Sequence, residues 1–338
     1  MAPFMVARGH FAAGGIAVKP DPDRAVAKQT GPTGSPLLVV GSLALDTIET
    51  QSSRREEVLG GAACYASFAA SFFAPVRLVG VVGSDFPADH EALLSSRHID
   101  LAGLERVSGR TFRWAGRYAV DFNKRTTLDT QLNVFETFRP KLPPAYADSP
   151  FVFLANIDPV LQLEVLGQVR RPRFVACDTM NFWIGGKRAE LLRVLERANM
   201  VLLNDEEARQ LSSKDNLPAA ASAIRGMGPG AVVIKRGDAG ALFFCEDGVF
   251  AVPAFPLEGV VDPTGAGDSF AGGCMGWLAR TGDISPFGIR TALVVGSALA
   301  SFCVEDFSLD RFRSLDETAI RARCAAFAQL VRFEAVSF

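Results

Sequence analysis

Hydrophobic and polar positions follow two rhythms along the chain. Short apolar runs closed by glycine, Leu37–Gly41 and Val76–Gly83, read as strands buried on both faces. Between them, Ala62–Ala74 is rich in small and aromatic residues and ends before Pro75, which predicts a helix packed closely on a sheet. Pro87–Arg97 predicts another helix. Further apolar runs at Phe151–Ala155, Phe174–Cys177, Val201–Leu203 and Ala231–Lys235 continue the alternation. A hairpin is expected from Ala241–Cys245 to Val249–Val252, turning at Glu246-Asp247-Gly248, and helix dominates from Ala266 onward. Strand–helix alternation predicts an α/β protein around a mostly parallel sheet.

The second rhythm occupies Leu104–Arg139, where aromatic and β-branched residues alternate with polar ones, as in Phe112–Val120 and Thr126–Phe135. Such alternation predicts antiparallel strands with one wet face, a small sheet standing off the main body. Residues 1–34 mix Gly, Pro and scattered charges and are expected to form a poorly ordered extension ahead of a domain over 35–338.

Composition narrows the function. The net charge of −2 argues against a nucleic-acid-binding surface. A hydrophobic content of 49% argues against disorder. No apolar stretch reaches a membrane span without a charge, Gly or Pro. The six cysteines are scattered, with no CxxC spacing, which points to free thiols and a cytoplasmic protein. Three histidines, none at metal-ligand spacing, make a zinc site unexpected.

The chemistry concentrates in Val260–Gly273, where Asp262-Pro263-Thr264-Gly265-Ala266-Gly267-Asp268 leads into a long helix. Unpaired first-turn N–H groups and the helix dipole make an anion site there. A carboxylate inside that turn, Asp268, suits a base that takes a proton from an attacking alcohol. The bland reading of the same residues is a glycine-rich cap with a dipole-compensating acid.

This stretch closely resembles the C-terminal motif of the ribokinase-like (PfkB) carbohydrate kinases. The family's N-terminal pattern is matched by Gly41–Asp46, Gly60-Gly61 and Val79–Phe86, its Asn-x-x-Glu element by Asn204–Glu207, and its nucleotide-side turn by Val233–Gly240. The resemblance implies a three-layer α/β/α core with a small β lid, built from about 44–58 and 104–139. It also implies ATP and Mg²⁺ with a sugar, polyol or nucleoside acceptor. Asp268 would be the base and Gly265, Ala266 and Gly267 the anion hole. Asp46, Gly60 and Gly61 would hold the acceptor; Asn204, Lys235, Gly237, Gly240 and Thr264 the nucleotide; and Glu207 the metal and its water.

Asn156 and Asn181 follow strand ends, where open α/β sheets place ligands, and are acceptor-side candidates. Tyr65 stands where ribokinases tend to carry Asn, and would stack on a ring or close the pocket. Glu305–Leu309 replaces the family's Gly-Ala pair near the adenine and the monovalent-cation loop, which leaves the adenine contacts and a potassium ion (K⁺) as open alternatives. A sugar or polyol kinase is the leading expectation. A nucleoside kinase and a catalytically silent binding subunit are the alternatives. The apolar side chains Phe112, Trp114 and Phe135 predict that two lids pack together as a homodimer.

Overall fold

The computed structural model describes residues 33–51, 53–119, 125–332 and 334. The extension expected over 1–34 therefore lies, up to residue 32, outside the described residues. The first strand, β1 (Leu37–Val40), sets the layering. Leu37 and Val39 face one apolar cluster, Leu38 and Val40 another, and all four are fully buried. The chain then leaves the main sheet for β2 (Ala44–Glu49) and β3 (Arg54–Gly60). It returns through α1 (Ala62–Ala70) to β4 (Val76–Gly83), α2 (Ala88–Ser95) and β5 (Ile99–Val107). A second excursion makes β6 (Phe112–Tyr118) and β7 (Arg125–Gln131).

The rest alternates. β8 (Phe151–Leu154) leads to α3 (Pro159–Gln168), and β9 (Phe174–Asp178) to α4 (Asn181–Gly186) and α5 (Arg188–Leu195). β10 (Met200–Asn204) leads to α6 (Asp205–Ser212) and α7 (Leu217–Arg225). Then come β11 (Ala231–Lys235) and the hairpin β12 (Ala241–Cys245) and β13 (Gly248–Val252). The chain closes with α8 (Ala266–Thr281), α9 (Pro286–Cys303), α10 (Asp310–Arg313) and α11 (Glu317–Leu330).

The main sheet runs β13-β12-β11-β10-β9-β8-β1-β4-β5, parallel from β5 to β11 and antiparallel through the terminal hairpin. α1, α8 and α9 pack on one face, α3, α5, α6 and α7 on the other, which makes three layers. Although α9 is apolar enough to span a membrane, 67% of it is buried. It is a core helix.

The small sheet has the order β3-β2-β6-β7, with β2 and β6 parallel. Its expected boundaries need correction at both ends. Residues up to Val107 belong to β5, which pairs with β4 at the edge of the main sheet. Beyond Gln131, a turn at Asn133–Thr137 returns Val134 and Phe138 to the core. An edge strand and a lid strand each have one wet face, so alternation does not separate them.

Candidate active site at the head of helix α8

Gly265 caps α8 with φ +75°, a left-handed conformation that favours glycine. A Cβ there would also stand 2.3 Å from the ring of Tyr65. Tyr65 lies on α1 only 1% exposed, under the cap. The expectation that it faces an acceptor is corrected: it supports the glycine and has no open face for a ligand ring. Of the three expected anion-hole amides, Ala266 N–H donates to the Pro263 carbonyl at 3.2 Å. That leaves the amides of Gly265 and Gly267 as the candidate anion donors.

The loop ahead of the cap is clamped by Asp262, which is fully buried. Its carboxylate accepts from Thr264 N at 2.8 Å and Ser308 N at 3.2 Å. Burial raises its proton affinity, and these bonds pull it down. Thr264 was expected at the nucleotide. Instead, its hydroxyl donates to the Tyr118 hydroxyl of the lid at 3.0 Å.

Asp268 is half-buried in the first turn of α8. Burial and the neighbouring Asp178 push its carboxyl up to about 6, against the pull of Lys235 and Arg125. Lys235, at the end of β11, donates to Asp178 Oδ2 at 2.7 Å. A Cβ on Gly267 would stand 3.5 Å from Lys235 Nζ, which places the ammonium over the first turn of α8. Burial opposes that charge, but Asp178 and Glu207 outweigh it and raise the lysine's pKa. Asp178, at the end of β9, is the partner that sequence reasoning missed; its only signal was a lone acid closing an apolar strand.

Asn204 and Glu207 form a reciprocal cap on α6. Asn204 Oδ1 accepts from Glu207 N at 2.8 Å, and Glu207 Oε2 accepts from Asn204 N at 2.6 Å. Burial pushes Glu207 up to about 7, with Lys235 opposing. One Glu207 oxygen is thus committed to the helix.

On the acceptor side, Asp46 of β2 is 4% exposed. A Cβ on Gly60 would fall 1.9 Å from Asp46 Oδ2, and one on Gly61 would fall 2.4 Å from the Ser42 carbonyl. Gly60 therefore makes room for the carboxyl, and Gly61 for the Ser42 backbone. Burial pushes Asp46 up to about 8, reinforced by Asp262, while the Gly61 amide opposes. Asn156, just beyond β8, accepts from Trp183 Nε1 at 3.1 Å and donates to Met180 Sδ at 3.2 Å. Asn181 is exposed and donates to Gln210 at 3.0 Å. That corrects its expected role, since its amide is spent on the outer surface.

A cavity of about 600 Å³ opens at the other side of the α8 head. Lys235, Gly237, Gly240 and Gly267 line its polar end, and Phe255, Pro256, Leu257 and Val304 its apolar end. A nucleotide could sit here, its base against apolar side chains and its phosphates near Lys235 and Gly267. Ser301 also lines it, its hydroxyl held by Arg323 at 2.7 Å. Among the described residues, no three His, Cys, Asp or Glu converge on a metal position. Glu207, beside Lys235, is a carboxylate that a hydrated Mg²⁺ carried on phosphates could use, since that ion takes only one or two.

A model described as pfkB family carbohydrate kinase matches residues 36–312. A cytidine kinase of Thermococcus kodakarensis is 32% identical over 253 residues, 72% of this chain and 88% of that protein. A nucleoside kinase of Methanothermobacter thermautotrophicus is 30% identical over 292 residues, 80% of this chain and 89% of that protein. The solved nucleoside kinase of Methanocaldococcus jannaschii has a TM-score of 0.68 at 20% identity, covering 88% of this chain and 100% of that one; this likeness speaks for the fold. With the family model matched over residues 36–312 and these relatives aligned over most of the chain, the chain belongs to the pfkB family of carbohydrate kinases and is an ATP-dependent small-molecule kinase.

Proposed function

We propose that this kinase transfers the γ-phosphoryl group of ATP to a ribose hydroxyl of a nucleoside. The observation that carries the reading is the convergence on the α8 head: Asp268 and Lys235 beside the glycine amides, with Asp46 on the lid side. The acceptor oxygen forms the new bond to phosphorus. The bond from phosphorus to the departing ADP breaks, its electron pair leaves with ADP, and the hydroxyl proton passes to Asp268. Lys235 and the amides of Gly265 and Gly267 hold the phosphate charge. Glu207 and Asn204 would hold the waters of a Mg²⁺ bound with the triphosphate, and the ion would neutralise charge on the phosphate oxygens. Asp46, backed by Gly60 and Gly61, holds acceptor hydroxyls.

What favours a nucleoside over a free sugar is twofold. Two relatives named as cytidine and nucleoside kinases align over nearly their whole lengths. In addition, the indole of Trp183 is anchored to Asn156 at a strand end on the ligand side of the sheet. The test is ADP release across nucleosides, pentoses, hexoses and inositols. Turnover is expected with nucleosides, cytidine included. Turnover confined to sugars or polyols would restore the sugar reading, and ATP binding without turnover would point to a silent subunit.

A further inference from the structure

The lid presents one face toward the α8 head. Asp46 on β2 is in register with Trp114 on β6, and Tyr118 on β6 is in register with Arg125 on β7. Residues in register, or two apart on one strand, share a face of the sheet, so Asp46, Trp114, Tyr118 and Arg125 lie on the same side. Gly116 lies between the two aromatics. A Cβ there would fall 2.0 Å from the Trp114 ring, so its absence lets the indole lie along the strand. The Arg125 guanidinium sits over that indole, 5.2 Å from the ring centre, an arrangement that holds a cation in place. Arg125 also lies beside the Tyr118 hydroxyl, which meets Thr264 of the anion-hole loop at 3.0 Å. The guanidinium is thus bracketed between the acceptor carboxyl and the head of α8.

We propose that Arg125 is a catalytic residue whose guanidinium, delivered by the lid, meets the oxygens of the transferring phosphoryl group. This rests on the kinase reading above. Burial dominates the proton affinities of Asp46, Glu207 and Asp268, and the charge of Arg125 opposes it at all three, as a cation facing both halves of the site would. A guanidinium matches phosphoryl oxygens with two parallel N–H bonds. Charge that develops on those oxygens during transfer makes this contact strongest in the transition state.

The experiment compares wild type with Arg125→Gln and Arg125→Lys in the ADP-release assay, each with and without guanidinium chloride. Wild-type turnover establishes the underlying reading first, so its failure is told apart from failure of the Arg125 assignment. Arg125→Gln is expected to lower kcat by roughly 10²-fold or more, against the ~10³–10⁵ that an arginine on a transferring phosphoryl group contributes. Acceptor KM should stay within about threefold, and added guanidinium should restore part of the rate. Arg125→Lys keeps the charge without the fork and should lose about 10-fold; it serves alone if the Gln variant does not fold. A raised acceptor KM with kcat intact would make Arg125 an acceptor ligand and overturn the proposal. So would activity within a few-fold of wild type in either folded variant.

Discussion

At Asp268 the carboxyl is pushed up to about 6 by burial and by Asp178, so it is mostly ionised at neutral pH yet holds a proton well below it. A base must be ionised to accept a proton, so kcat should fall as the pH drops through about 6. Asp268→Asn removes the acceptor and should cost about 10²–10⁴-fold in kcat at unchanged ATP binding. An acid that served only the helix dipole would instead be worth about 0.3–1 kcal/mol of stability; melting temperature and turnover, measured together, separate the two roles. Asp46 carries a prediction of the other sign. Its carboxyl is raised from 3.8 to about 8, so the folded protein keeps a proton that the unfolded chain releases across that window. Stability contributed at this position is therefore highest at low pH and declines as pH rises from about 4 to 8. Asp46→Asn should remove that decline. In urea melts it should gain at least about 1 kcal/mol on wild type between pH 5 and 8.5, and parallel melting curves for the two proteins would refute the buried-acid picture.

Among the elements, the lid is tied to the body at both ends. At the site end, the Ser308 hydroxyl donates to the Leu59 carbonyl and Tyr118 receives Thr264. Ile48, Tyr118 and Phe307 form a small apolar cluster there. At the far end, Arg113 of β6 bridges Glu57 of β3 and Asp85 of the main body, each at 2.8 Å. Asp85 also accepts from Thr111 N and Oγ1 at 2.7 Å. Burial resists its ionisation, but Thr111 and Arg113 outweigh burial and lower it to about 2. Its stabilising contribution is present above pH 4 and lost as pH falls toward 2. Because the pair is partly solvated, it is worth no more than about 1 kcal/mol. Arg113→Met should therefore change the melting temperature little, by a few degrees at most, and raise acceptor KM several-fold by loosening the lid's attachment. An unchanged KM would mean that the lid is positioned by its site-end contacts alone.

At the scale of the molecule, pairing of two lids remains a proposal, and the structure changes its grounds. Phe112 stacks on Phe135 at 5.5 Å, and Trp114 carries Arg125. These aromatics are occupied within the chain, so they do not call for a partner. The lid's edge strands remain, and β7 is one of them, with residues 125–130 exposed and Leu128 at 46%. An open edge strand invites pairing with a second copy. A dimer mass is expected in light scattering at micromolar concentration. A proline at Leu128 should shift the population toward monomer if the edge is the contact; a monomer throughout removes the proposal.

The layered core and the α8 head were legible in the sequence because each is local. Four apolar residues in a row at Leu37–Val40 have no wet face, so the strand must be covered on both sides. Likewise, glycine before Ala266 followed by Asp268 is a helix start wherever it folds. Lid membership was decided by tertiary pairing. Alternation at 99–107 fits β5 at the main edge as well as a lid strand, and only hydrogen bonding to β4 chooses. Side-chain roles were decided the same way. Tyr65 and Thr264 sit at motif positions and Asn181 just beyond a strand end, yet close packing under Gly265, a hydroxyl bond to Tyr118 and an amide pair with Gln210 consume them. Asp178 and Arg125 lie outside any motif and reach the site because β9 ends beside β10 and because β7 pairs with β6. The sequence alone sets which faces are apolar and where backbone groups go unpaired. Which distant charges meet follows from strand order and register, which depend on packing summed over the whole chain.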